Sequence, residues 1–298
     1  MPEISRKQAL GAASAAYVTW GFLPPFLASL KPAGPLEILA HRIVWSFLLV
    51  LVLLFALRGG WAWLRTSVFT RAALPSLVAA AGLIGANWLI YIWAVNNGHV
   101  VEASLGYFIN PLVIVLAGVV LFGERMGLGA RIGGGITLAG VIVISAASWQ
   151  GLWVSLSLAV SFALYGVVKK RSSLTALQGL LVESAFLLPL ALPYLLWLGP
   201  SGQFGHAPGL TVLLVLAGAV TAVPLWCFAV AAPRLPFGVL GILQYVSPTI
   251  QFLLGITLFG EQVTPTYWVG LVAVWIGSVI YLTLTIRAHQ PPPATEPV

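Results

Sequence analysis

Apolar residues run through this chain in long blocks, with polar residues gathered at the block ends. Ten blocks are long enough for a membrane helix, which needs roughly 20 apolar residues: 9–30, 36–57, 72–95, 101–122, 128–148, 152–168, 174–198, 210–231, 237–259 and 266–286. None shows the period-2 alternation of a membrane barrel strand. The pattern therefore predicts an all-α integral membrane protein with ten transmembrane helices.

The pattern also repeats. Residues 102–124 read EASLGYFINPLVIVLAGVVLFGE, and residues 243–261 read LQYVSPTIQFLLGITLFGE. Pro111/Pro248, Gly118/Gly255, Gly123/Gly260 and Glu124/Glu261 all stand 137 positions apart, and Gly133/Gly270 and Gly140/Gly277 keep that offset. Six matches in one register predict a duplicated unit. Residues 1–148 would form a first five-helix repeat, 149–289 a second, and 290–298, QPPPATEPV, a short disordered tail. Five crossings are an odd number, so the second repeat is expected to enter the membrane inverted. Two inverted five-helix repeats with a site near the midplane are a recurring transporter architecture.

Composition agrees. The chain is 60% hydrophobic and 7% charged, against about 25% charged in soluble domains, so lipid must be its solvent. The net charge of +7 raises the question of nucleic acid, but its distribution answers it. With the amino terminus placed in the cytoplasm, Arg6, Lys7, Arg58, Arg65, Arg71, Arg125, Arg131, Lys169, Lys170, Arg171, Arg234 and Arg287 fall inside, and only Lys31 falls outside. That asymmetry predicts both termini cytoplasmic and no nucleic-acid partner. The one cysteine, Cys227, lies within a block and builds no disulfide or thiolate metal site; no metal and no cofactor are expected.

Polar residues inside the blocks are the candidate site. Pro24 and Pro25 break the first helix just after Trp20, and freed carbonyls in a membrane need protein or a water-filled cavity beside them. Glu37, His41 and Trp45 are four apart and share a face; Arg42 lies one residue off it, inside the span. An intramembrane charge is costly and marks function by default, although Glu37 and Arg42 could also snorkel outward. Asn87 and Tyr91 are again four apart, while Trp88 and Trp93 are expected to face lipid or the interface. Glu102, Gly106 and Asn110 form a stripe with Tyr107 beside it, and Glu102 could equally serve as an end charge on its helix. Gln244 and Tyr245 stand opposite the Tyr107–Asn110 cluster by repeat symmetry. Glu183 lies mid-span, at a place in its half similar to that of Arg42, and the two could meet across the pseudo-two-fold axis as a coupling or structural charge pair. Gly129, Gly133, Gly134, Gly135 and Gly140 suit close helix packing, as a scaffold or a dimer face.

Several activities lack their residues. There is no HExxH, no GxSxG and no aspartate, and no GxxxxGK[ST] for ATP. A channel filter of repeated polar residues is also missing from a single two-repeat chain. The strings EILAHRIVWS, NWLIYIWAVNNGH, EASLGYFINP and LFGER resemble the RarD branch of the EamA family, within the drug/metabolite transporter superfamily. The resemblance covers nearly the whole chain and is most specific over 37–124. It implies ten helices in two inverted halves, a bacterial inner-membrane setting and small-molecule export or exchange.

These readings converge on a secondary transporter working by alternating access, and not an enzyme. An amino acid exporter or a uniporter-type facilitator is the alternative, and a channel the weaker one. Trp20, His41, Arg42, Asn87 and Tyr91 are the expected substrate contacts of the first three spans. Tyr107, Asn110, Gln244 and Tyr245 are those of the fourth and ninth. Arg42 would clamp an anion through its fixed donor fork. Glu183 and Glu102 are the candidates for coupling or charge pairing. The partners expected are a small-molecule substrate, protons as a candidate coupling ion and the lipid bilayer, with the chain a monomer or homodimer.

Overall fold

Helices make up the regular structure in the computed structural model, which describes residues 5–57, 60–123, 126–169 and 172–288; no strand occurs among them. The first apolar block is split into α1 (Arg6–Gly21) and α2 (Leu23–Ser29). Seven unbroken helices follow: α3 (Pro35–Ala56), α4 (Leu74–Asn96), α5 (Val100–Phe122), α6 (Leu128–Ala147), α7 (Trp149–Lys169), α8 (Ala176–Leu198) and α9 (Pro208–Ala231). The ninth block is again split, into α10 (Phe237–Leu243) and α11 (Val246–Thr257), and α12 (Pro265–Ala288) closes the chain. Nine segments of the described residues are helical, long and apolar enough to cross a membrane; the first block is not among them, its pieces α1 and α2 being 16 and 7 residues long. At 1.5 Å per residue, the unbroken helices match a hydrocarbon layer of about 30 Å. The chain is an all-α membrane protein. The expected tail at 290–298, and Glu124 of the repeated motif, lie outside the described residues.

Local chemistry sets the helix ends. Ser5 with Gln8, and Thr175 with Gln178, form capping boxes at the starts of α1 and α8. Proline opens α3 and α9, where its missing N–H costs nothing. The break after α1 follows from Pro24, which cannot donate to the Trp20 carbonyl four residues back. Gln251 of α11 supplies the donor instead, its Nε2 reaching the Trp20 carbonyl at 3.0 Å. Gly21 makes this approach feasible, since a Cβ there would lie 2.8 Å from Ile250 Cβ. Pro248 sits just past the second break, but its repeat counterpart Pro111 stays inside an unbroken α5, and α9 runs on through Pro224.

Gly129, Gly133 and Gly140 of α6 pack inside the chain, against α12, and Gly134 and Gly135 do not. Gly133 faces Gly277 and Gly140 faces Gly270. A Cβ on Gly277 would come within 2.6 Å of the Gly133 carbonyl oxygen, and one on Gly270 within 2.6 Å of that of Gly140. Each glycine thus meets the 137-residue counterpart of the other. Elsewhere α5 lies on α7 and α11 on α1, α3 on α9 and α8 on α4, and α4 on α7 and α9 on α1.

Candidate functional site

α3 turns one face to α9. Ile38, Arg42 and Ser46 are four apart and all buried. Ser46 Oγ donates to the Gly218 carbonyl at 3.4 Å, and Arg42 Nε donates to Thr221 Oγ1 at 2.7 Å. Gly218 permits the contact, because a Cβ there would lie 2.6 Å from Trp45 Cβ. The Arg42 guanidinium carbon rests 4.5 Å from the centre of the Trp88 ring, a cation–π contact. This corrects the expectation that Trp88 faces lipid: an interior cation attracts the ring inward. Trp93 instead stacks on His99 with ring centres 5.4 Å apart and meets Trp153 at 5.0 Å.

α4 brings Asn87 and Tyr91 to the same region. Asn87 Nδ2 donates to the Leu158 carbonyl at 3.0 Å and to Ser161 Oγ at 2.9 Å, both on α7. Its Oδ1 accepts a long bond of 3.5 Å from the Tyr107 hydroxyl of α5. The Tyr91 and Tyr107 rings meet edge to face at 5.7 Å, and Tyr107 reaches Phe162 at 6.3 Å. Both tyrosines lie within electrostatic reach of Arg42. Arg42 Nη1, the Tyr91 hydroxyl and Asn110 Oδ1 are buried with no hydrogen-bond partner among the described residues. Arg42, Asn87, Tyr91 and Tyr107 therefore gather between α3, α4, α5, α7 and α9, with Asn110 one turn beyond Tyr107.

The other expected residues lie apart. Trp20 packs on Tyr17 and Phe228 beside the α1 break. Gln244 ends α10, and Tyr245 stacks on Phe108 at 6.2 Å in a separate apolar cluster with Phe252 and Trp275. His41 Nδ1 accepts from Trp45 Nε1 at 3.3 Å, and its ring stacks at 4.8 Å on Phe204 of the loop after α8. That loop is also held by Glu37, whose Oε1 accepts from the Gln203 backbone N–H at 2.6 Å. Glu102 occupies the first turn of α5, with its carboxylate 3.6 Å from His99 Nδ1.

Glu183 does not meet Arg42. Its Oε1 pairs with Lys169 Nζ at 2.8 Å, and both of its oxygens accept from the Tyr165 hydroxyl at 3.2 Å. Lys169, one residue past the sixth apolar block, belongs to the last turn of α7 and shares a face with Tyr165 four residues back. That spacing was the available signal for the pair. Thr221 and Gln251 were also missed, and each shows in the sequence only as a polar residue inside an apolar run.

Glu261 closes one end of the same framework. It follows α11 and accepts the Val100 and Val101 backbone N–H groups at 2.7 Å each, so it caps α5 from the other half of the chain. Burial pushes its carboxyl up from the ordinary value, the two N–H groups pull it down, and Glu102 and His99 act in opposite senses. A groove of about 500 Å³ opens among Leu36, Leu89, Ile90, Trp93, Trp153 and Tyr194. It is apolar and contains none of the Arg42 cluster.

A multi-pass helical membrane protein with a polar cluster buried between its helices has the make-up of a transporter. Known proteins agree. The EamA-like transporter family profile matches residues 8–146. "Protein RarD" of Streptomyces exfoliatus is 46% identical, covering 92% of this chain and 88% of that protein. "Uncharacterized transporter YojE" of Bacillus subtilis is 41% identical, over 94% and 95% respectively. A crystal structure 22% identical superposes with a TM-score of 0.61 over 95% of this chain and all of the other, which speaks for the fold. The chain belongs to the RarD branch of the EamA-like transporter family.

Proposed function

We propose that the chain is a secondary transporter that moves a small organic solute by alternating access, through a site around Arg42, Asn87, Tyr91 and Tyr107. The observation that carries this reading is the set of buried polar atoms left without partners where five helices meet. Protein interiors pair nearly all such atoms, and a site that binds and releases a solute has reason to leave some free. Residues 1–148 and 149–289 are taken as inverted repeats. The reciprocal glycine crossing and the paired helix neighbours support that division, because a pseudo-two-fold axis demands both. The proposed setting is a bacterial inner membrane with both termini cytoplasmic, and the direction is export or exchange.

Glu183 favours the facilitator or exchanger over the proton-coupled form. Lys169 and Tyr165 already engage it, which suits a fixed strut between α7 and α8 better than a proton carrier. Gly129, Gly133 and Gly140 of α6 meet α12, while Gly134 and Gly135 do not, which favours the monomer over a dimer built on the Gly129–Gly133–Gly140 stripe. The test is efflux from proteoliposomes loaded with a bacterial metabolite extract and followed by mass spectrometry. Saturable, counter-exchanging release of one class of solutes is expected. Unselective leak, or release no faster than from protein-free liposomes, refutes the proposal.

A further inference from the structure

Arg42 is a buried cation without an anion. The residue is only 6% exposed. Its contacts are all neutral: Thr221 Oγ1 at Nε and the Trp88 ring beneath, while Nη1 has no partner. The described carboxylates are all engaged elsewhere. Glu183 holds Lys169, Glu102 faces His99, Glu37 holds the Gln203 N–H and Glu261 the Val100 and Val101 N–H groups. A charge taken out of water is tolerated when a counter-charge and hydrogen bonds complete it. At Arg42 the hydrogen bonds are partly made and the counter-charge is missing.

We propose that the transported solute supplies that counter-charge: it is an organic monoanion, a carboxylate on a flat apolar or aromatic body. This rests on the transporter reading above and names its substrate class. A carboxylate beside Arg42 would take the free Nη1 donor and the unpartnered Tyr91 hydroxyl, and charge-assisted bonds of this kind are strong. One charge is the right number, because Arg42 is the only lysine or arginine buried among the described residues. A dianion would be left half compensated. The wall beside the cation is aromatic and suits a flat apolar body: Trp88 flanks the guanidinium, Tyr91 contacts Tyr107 edge to face with ring centres 5.7 Å apart, and Tyr107 contacts Phe162 at 6.3 Å.

The test uses the purified full chain and its thermal unfolding midpoint, with benzoate, benzamide and benzylamine as probes of one body in three charge states, against sodium chloride at equal ionic strength. Benzoate is expected to raise the midpoint in the wild type and to lose that effect in Arg42→Gln, while the amide and amine do little. Equal shifts from benzamide or benzylamine, or an undiminished benzoate shift in Arg42→Gln, overturn the proposal. A ligand-free comparison tests the missing charge directly. Arg42→Met should raise the midpoint above wild type, because Thr221 keeps its bond to the Ala217 carbonyl at 2.8 Å and an uncompensated charge is gone. A lower midpoint for Arg42→Met means the protein already balances Arg42, and overturns the proposal. Failure of metabolite efflux from wild-type proteoliposomes would sink the transporter reading and leave these midpoints unmoved, so the two failures are distinguishable.

Discussion

At Arg42, geometry matters beyond charge. Nε bonds Thr221 while the guanidinium plane covers Trp88, and a lysine ammonium cannot do both from one position. Arg42→Lys is expected to insert normally but to lose about tenfold in solute efflux, a change of about 1.4 kcal/mol; proteoliposome rates normalised to inserted protein would show it. Wild-type rates would demote Arg42 to a packing role. The Lys169–Glu183 pair makes a different prediction. Glu183 is 3% exposed as a side chain and Lys169 21%, so Lys169→Met strands a buried carboxylate. It should destabilise by about 3 kcal/mol, the low end for a broken buried pair given the partly exposed lysine. Lys169→Met with Glu183→Leu should recover most of that in unfolding measurements. If the double variant is as unstable as the single one, the ion pair is not what Lys169 contributes.

The behaviour of the helices as units depends on how closely they approach. α6 and α12 touch backbone to backbone at Gly133–Gly277 and Gly140–Gly270, so no side chain fits between them. Gly277→Leu should overpack this crossing and cost about 3 kcal/mol, the upper end for such insertions, because backbone cannot move aside as a side chain can. A lowered unfolding midpoint in detergent is the readout. At the start of α5 the sign of a pH effect follows from Glu261. Its carboxyl titrates above the ordinary value because it is buried. Folding therefore favours its protonated form, and its contribution grows as pH falls through the raised value, levelling off below the ordinary one. The groups facing it are His99 and Glu102 at the start of α5 and Tyr267 of α12. Subtracting Glu261→Gln from wild type at each pH cancels most of the other titrations. The difference in unfolding midpoint should move in favour of wild type from pH 8 to pH 5; a flat difference would mean that Glu261 stays ionised throughout.

For the whole molecule, sidedness is the property to test. Single cysteines introduced in a Cys227→Ser background at Ser173, between α7 and α8, and at Gly202, between α8 and α9, should react with impermeant reagent from opposite faces, Ser173 from the cytoplasm. Labelling of both from one face would remove the inverted-repeat proposal. The structural features that point the same way are long-range. Glu261 caps α5, Glu37 ties the loop after α8, and Gln251 repairs the carbonyl exposed in α1. Each joins residues more than 150 positions apart, so the two halves hold one another's loose ends.

Much of this was readable along the chain. The helices fall on the apolar blocks, with expected 101–122 observed as Val100–Phe122 and expected 128–148 as Leu128–Ala147. That works because the length and polarity of a run decide, locally, whether it can sit in lipid with its backbone bonds closed on themselves. The break after Trp20 was legible for the same local reason, a proline without a donor. What the sequence left undetermined was partner choice. Arg42 went to Thr221 and Trp88 rather than Glu183, Trp88 turned inward, and Gly129, Gly133 and Gly140 of α6 met α12 within the chain. Those outcomes depend on how each helix is rotated about its axis and offset along its neighbours. Packing over the whole bundle sets both, and a run of apolar residues carries no record of either.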